Sequence, residues 1–161
     1  MKAVLRGALL ALLAGVPVAT AAIADEAANA ALVRKFYQAI NARSLDQLDA
    51  IVAADFLDHM ADPQQPHGIE ALKQSLGPFL AVSSDLKFVN DPVIAKGDYV
   101  TVVDTITGTN DGEIMGMQPT KKPFEFNAID IWRVKDGKLA EAWHVEQLLQ
   151  MMMQIGAIGQ K

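Results

Sequence analysis

Two carboxylates stand where the strand pattern calls for hydrocarbon. Along residues 99–107, Val100, Val102 and Ile106 alternate onto one face, and Asp104 sits among them. Along 124–134, Phe124, Phe126, Ala128, Trp132 and Val134 share a face that Asp130 interrupts. A carboxylate in such a setting loses solvation, so its pKa rises unless it is paired. A raised carboxyl exchanges protons near neutral pH, as general acid–base chemistry requires. The alternative is a structural hydrogen-bonding carboxylate or a wet face. His59 follows Asp58 and is either an oriented base or half of a structural pair. His67 lies in a proline-containing loop and reads as solvated.

Other chemistries are removed by what is missing. The 161 residues contain no Cys, which excludes disulfides, thiolate metal sites and a thiol nucleophile. Three His without regular spacing do not make a metal site, and none is expected. There is no G-x-S-x-G, Walker or dinucleotide fingerprint, so no cofactor is expected either. Met151-Met152-Met153 reads as core or lid packing by flexible thioethers, with a soft-metal site as the alternative. A formal charge of −5 argues against nucleic acid as the main partner.

The last hairpin decides which of these groups can meet. Asp136-Gly137 is a strong two-residue turn signal between 124–134 and 138–146. A regular ladder from that turn places Lys135 opposite Lys138, Asp130 opposite Trp143, Ile129 opposite His144 and Asn127 opposite Glu146. Asp130, Trp132, Glu141 and Trp143 then share one face; Asn127, Ile129, Ile131, His144 and Glu146 share the other. Both faces carry apolar residues, so one lines a pocket and the other can pack on a second copy of the chain. A bulge would change this assignment.

The elements that hold these residues follow from periodicity. Residues 26–42 repeat apolar side chains at helical spacing, from Ala28 through Leu32, Val33, Phe36, Tyr37 and Ile40. Ser44 with Gln47 reads as the capped start of a second helix carrying Leu45, Leu48, Ile51 and Val52. Phe56–Met60 reads as a short strand, 62–67 as loop, and 68–82 as a third helix weakened at Gly77-Pro78. Strands are expected at 86–94, 99–107, 124–134 and 138–146. A loop is expected over 108–123, and a short closing helix over 148–155. Helices first and an antiparallel sheet after make an α+β plan. A curved sheet covered on one face by three N-terminal helices forms a cone with a cavity at its open end.

The N-terminus has a separate logic. Lys2 and Arg6 precede the apolar run Ala8–Val16, Pro17 breaks it, and Ala22-Ile23-Ala24 offers a small-residue cleavage site. This is a secretory signal pattern, with a membrane anchor as the alternative. We therefore expect a leader over 1–24, one domain over 25–161, and a secreted or periplasmic protein without an integral span after processing. Losing Lys2 and Arg6 while keeping all 19 acidic residues takes the formal charge from −5 to −7.

Three segments resemble one family. Gly108-Thr109-Asn110-Asp111-Gly112-Glu113-Ile114-Met115-Gly116-Met117-Gln118-Pro119-Thr120 looks like the G-T-x-x-G-E-x-x-G-x-x-P-T loop of ester cyclases. These are the SnoaL-like polyketide cyclases of the nuclear transport factor 2-like superfamily. Ile129-Asp130-Ile131-Trp132-Arg133 with Gly137-Lys138-Leu139-Ala140-Glu141-Ala142-Trp143 resembles their last hairpin, and 148–158 resembles their ending. Asp58-His59 and Ser84-Asp85-Leu86 match weaker landmarks. The resemblance implies a cone, often dimeric, with an apolar pocket and cofactor-free aldol closure; the two-faced hairpin makes the sheet the expected route of a homodimer. The family's acid follows the tryptophan of the last strand. Here that stretch reads Trp143-His144-Val145-Glu146-Gln147, so the acid maps to His144 or Glu146. The resulting expectation is a small apolar carbonyl ligand, with Glu146 or His144 moving a proton and Asp130 and Asp104 orienting it or stabilising charge. His59, Trp132, Trp143, Phe126, Met115 and Met117 would line the pocket, with His59 at its mouth. The alternatives are a non-catalytic ligand-binding module and a dimerising module of the same fold.

Overall fold

A computed structural model describes residues 19–159, with side chains from Glu26 onward. Residues 1–18 of the expected leader lie outside the described residues; the backbone of 19–24 opens the first helix. Helix α1 (Ala19–Asn41) leads to a 3₁₀ turn (Leu45–Ala50), strand β1 (Val52–Asp58) and helix α2 (Ile69–Ala81). Strands β2 (Lys87–Lys96), β3 (Tyr99–Thr109), β4 (Pro123–Lys135) and β5 (Lys138–Glu146) follow, then helix α3 (Leu148–Ile155). The architecture is α+β, as the pattern predicts. The five-stranded sheet runs β1-β5-β4-β3-β2 and is antiparallel except where β1 pairs parallel with β5. No helix among the described residues is long and apolar enough to cross a membrane.

One side of the sheet holds the core. Val33, Phe36, Tyr37 and Ile40 of α1 are buried against Val100, Val102 and Ile106 of β3 and Phe126, Ala128 and Trp132 of β4. These are the residues whose 3.6- and 2-residue periods define the faces. Burying them supplies most of the driving force, at about 1.5–3 kcal/mol for each large side chain.

Two local expectations change, and a third holds. The second helix is a single 3₁₀ segment, and Ser44 makes no side-chain cap. Only Leu48 of that segment is buried, so one anchor holds it and no longer apolar face propagates it. The early strand begins at Val52, because Leu139 N–H donates to Ile51 C=O and draws this segment alongside β5. Helix α2 runs through Pro78. Its start is set by Gly68, whose φ of 97° suits glycine and whose N–H donates to Phe56 C=O. A Cβ there would lie 2.7 Å from the Ala54 carbonyl oxygen, so the glycine allows α2 to close over β1.

The β4–β5 hairpin contains the decisive irregularity. Asp136 and Gly137 both have positive φ, as a two-residue hairpin turn requires, and Lys135 pairs with Lys138. Val134 then pairs with Leu139, but Arg133 pairs with Glu141, leaving Ala140 as an extra residue. Beyond this bulge every partner moves by one. Ile131 faces Trp143, Asp130 faces His144, Ile129 faces Val145 and Ala128 faces Glu146. The regular-ladder assignment of faces is therefore corrected. His144 and Glu146 join Asp130 and Trp132 on the core side, while Glu141 and Trp143 turn outward.

Candidate functional site

A cavity of about 290 Å³ opens between α1, α2 and the sheet. Its walls are mainly apolar, including Phe36, Phe56, Leu72, Leu76, Phe79 and Trp132. Asp58, Tyr37, Asp130, His144 and Glu146 bring polar atoms to it. An apolar chamber with few convergent polar groups is the usual form of a small-molecule site.

His144 organises the floor. Its Nδ1 lies 2.7 Å from Glu146 Oε1, and its Nε2 lies 3.0 Å from Asp58 Oδ2. Both partners are carboxylates that accept, so both ring nitrogens donate and the ring is an imidazolium. Hydrogen bonds to Asp58 and then Glu146 push its pKa up to about 10 against the opposing effect of burial. Neither nitrogen is left free for a ligand. Burial raises the Asp58 carboxyl, but donation from His144 and from the Met60 and Ala61 backbone N–H groups outweighs it, leaving the pKa below its ordinary value.

Asp130 and Asp104 lie behind this pair. Asp104 is fully buried, and Asp130 is half-buried on the cavity wall. The Tyr37 hydroxyl donates to Asp130, lies 3.2 Å from Asp104 Oδ2, and accepts from Trp132 Nε1 at 3.2 Å. Asn90 donates to the other oxygen of Asp104. Burial, with repulsion from Asp104, raises Asp130 to about 7 despite the Tyr37 hydrogen bond. Burial also raises Asp104, opposed by hydrogen bonds with Asn90, Asp130 and Tyr37 and reinforced by the charge of Glu146. Burial and the two neighbouring carboxylates drive the Tyr37 phenol well above its ordinary range, so it remains a donor.

The structure thus brings Asp104, Asp130, His144 and Glu146 together beside Trp132. It separates the others. His59 lies on the outer side, stacked on Trp143 with ring centroids 4.1 Å apart and paired with Glu141 at 2.8 Å. Asp58 orients His144, not its neighbour His59. His59 and Trp143 are absent from the cavity wall, because the strand register and the bulge turn them outward. Phe126 packs in the core against Phe124. Met115 is 86% exposed, and Met117 pairs with Ile114 in the 110–122 loop, away from the cavity. Asp58 and Tyr37 are site residues that periodicity assigned elsewhere. Tyr37 reads as an apolar helix position, and only a search for a partner to two buried carboxylates would have marked it.

The loop that carries the motif is a structural staple. Buried Asn110 donates to Gly112 C=O at 2.8 Å and accepts from Thr120 N–H at 2.9 Å. Gly112 N–H donates to Val82 C=O, and Asp111 accepts from the Ser84 backbone and hydroxyl. Among the described residues no group of three or more His, Cys, Asp and Glu is arranged to hold a metal ion.

Comparison with known proteins places these features in a family. The family model described as SnoaL-like polyketide cyclase matches residues 31–155. TsrD of Streptomyces laurentii is similar at 26% identity and a TM-score of 0.76, covering 83% of this chain and 98% of its own. IdmH of Streptomyces antibioticus, assigned as a polyketide cyclase, is 26% identical with a TM-score of 0.71, covering 80% and 98%. A Bacillus cereus protein with the same assignment is 30% identical with a TM-score of 0.68, covering 80% of each chain. No curated protein sequence matches the chain.

The ion triad has a pH signature. The pKa of His144 is higher in the folded state than its ordinary 6.5, so its pairing stabilises the fold fully below about pH 6.5 and is lost towards about pH 10. Asp130 adds a loss of the same sign between its ordinary 3.8 and about 7, because the folded state holds its proton longer. Thermal unfolding followed against pH should show Tm falling by several degrees between pH 6.5 and 10, and His144→Gln should flatten that alkaline fall.

Proposed function

The chain belongs to the SnoaL-like polyketide cyclase family, and from that premise we propose a cofactor-free acid–base enzyme acting on a small apolar carbonyl compound. The observation that carries this reading is a carboxyl group, Asp130, with pKa about 7 on the wall of an apolar cavity. Near neutrality such a group both takes and returns a proton. The Asp130 carboxylate removes a proton from the carbon beside a carbonyl. The freed electron pair becomes an enolate. The enolate carbon attacks a second carbonyl of the same molecule, and Asp130 returns its proton to the new alkoxide. The His144 cation lowers the cost of the transient negative charge, because it is fixed in place before the reaction begins. Asp58 and Glu146 hold the imidazolium, and the second oxygen of Glu146 can accept a hydrogen bond from the ligand. His144 is thereby a fixed charge, while Asp130 moves the proton.

The test uses aryl ketones carrying a second carbonyl placed for six-membered ring closure. Mass spectrometry in heavy water reads deuterium beside the carbonyl and the closed product. We expect both with wild-type protein, and a loss of about 10²-fold or more in Asp130→Asn. Glu146→Gln is expected to give a smaller loss. Quenching of Trp132 fluorescence by these ketones with no turnover would contradict the enzyme and favour a binding module. Turnover unchanged in Asp130→Asn would overturn the assignment of the base.

The same reading places the protein outside the cytosol as a homodimer. The leader pattern at 1–24 supports export. The outward sheet face supports pairing, since Ile129 is 52% and Val145 66% exposed, beside outward-facing Ile131 and Trp143. Sedimentation and intact-mass measurement of protein recovered from the exporting cell test both points. We expect a dimer of chains beginning at Asp25, and a monomer for the Ile129→Glu, Val145→Glu double variant. A wild-type monomer contradicts the dimer, and retention of residues 1–24 contradicts the processing.

A further inference from the structure

The buried oxygens around Tyr37 do not have enough hydrogens unless a carboxyl supplies one. The Tyr37 hydroxyl has a single hydrogen and donates it to Asp130 Oδ2. It accepts the Trp132 indole N–H at 3.2 Å. Asp104 Oδ2 also lies 3.2 Å from the same hydroxyl oxygen. That approach is a hydrogen bond only if Asp104 brings a hydrogen of its own. The other oxygen of Asp104 accepts from Asn90, so it is not left bare. Asp104 is sealed from solvent and does not line the cavity, whereas Asp130 does. Two ionised carboxylates in this space would repel with little water to screen them.

We propose that Asp104, Tyr37 and Asp130 form one proton-sharing unit, in which a single carboxyl proton moves between the two aspartates through the Tyr37 hydroxyl. In one form Asp104 is neutral and donates to the Tyr37 oxygen, while Tyr37 donates to the Asp130 carboxylate. In the other Asp130 is neutral and donates to Tyr37, while Tyr37 donates to the Asp104 carboxylate. The two forms differ by two concerted O–H transfers, and both hold the same number of protons and one negative charge. The unit is faced by Tyr37 from α1, neutral Asn90 from β2, Asp104 from β3 and Asp130 from β4. From β5 it is faced by His144 and Glu146, with Asp58 of β1 on the far side of His144. The His144 cation sits nearest Asp130, across the β4–β5 pair, and favours the negative charge there. The form with the charge on Asp130 is the one that presents a carboxylate to the cavity, with Asp104 as the buried carboxyl. Tyr37 and Asp104 are then positioning residues that act through Asp130. The catalytic meaning of the unit rests on the reading of Asp130 as the base, but the proton sharing itself needs no substrate.

The experiment is a pH titration of ligand-free protein, with aspartate carboxyl carbons labelled with ¹³C and read by NMR. Shared protonation predicts that the Asp104 and Asp130 resonances both move in one common step near neutral pH. Asp104→Asn keeps the shape of the neutral carboxyl but cannot accept the shared charge. It should lower the proton affinity of Asp130 roughly tenfold. Tyr37→Phe should split the common step into two. Movement of the Asp130 resonance alone, unaltered in Asp104→Asn, would make Asp104 a fixed neutral packing group and overturn the proposal. Ionisation of both groups in the ordinary acidic range would also overturn it. A common step in Tyr37→Phe would remove the hydroxyl from the path and contradict the relay. If the coupled step is seen while Asp130→Asn still turns over ketones, the sharing stands and the assignment of the base falls. If the coupled step is absent while Asp130→Asn loses turnover, the reverse holds.

Discussion

One cation holds an acidic cavity together. Asp58, Asp130 and Glu146 reach the cavity wall and Asp104 lies just behind it, and among the described residues His144 is the one basic side chain on that wall. Unpaired carboxylates in an apolar chamber are costly enough that they protonate or unfold the site. The imidazolium resolves this unevenly. It bonds two carboxylates directly, Asp58 and Glu146, and reaches Asp130 only through space. Asp130 is therefore left with partial compensation. That intermediate state puts its pKa near 7, between a free carboxylate and a buried neutral acid. The remaining cost is met by the Tyr37 and Asn90 hydrogen bonds around Asp104, and no buried side-chain polar atom among the described residues lacks a partner.

The arrangement depends on a single bulged residue. Were Ala140 paired with Arg133 in an unbroken ladder from Asp136-Gly137, His144 and Glu146 would fall on the outer face and Trp143 in the cavity. With Ala140 bulged out of the ladder, the faces exchange beyond Arg133. The bulge costs local ladder regularity but brings a cation and a carboxylate to the acidic side of the sheet. It also leaves His59, Glu141, Arg133 and Trp143 to form a separate outer cluster. Neighbouring residues in the chain thus serve opposite sides of the sheet, with Asp58 bonded to His144 and His59 to Glu141.

Much of this was legible in the chain. Alternation alone exposed Asp104 and Asp130 as carboxylates on apolar faces, and helical spacing located Val33, Phe36, Tyr37 and Ile40. The plan of helices before sheet follows from the same periods. The bulge was not legible, because Ala140 and its neighbours are compatible with either register and only packing selects one. Tyr37 was hidden for another reason. Its ring fits the core as an apolar residue would, and its hydroxyl matters only once β3 and β4 bring two carboxylates to it. The loop at 108–120 shows that family likeness need not mark chemistry. Its Asn110, Asp111 and Gly112 tie the loop to itself and to the end of α2, so the pattern records a fold requirement.

The whole arrangement rests on His144 being a cation between two carboxylates throughout the neutral range. Its ring nitrogens, labelled with ¹⁵N and followed by NMR against pH, report this directly. Both nitrogens are expected to carry protons through about pH 8, and the ring to titrate at about 10. A ring with one bare nitrogen at about pH 8, titrating near the ordinary 6.5, would contradict this.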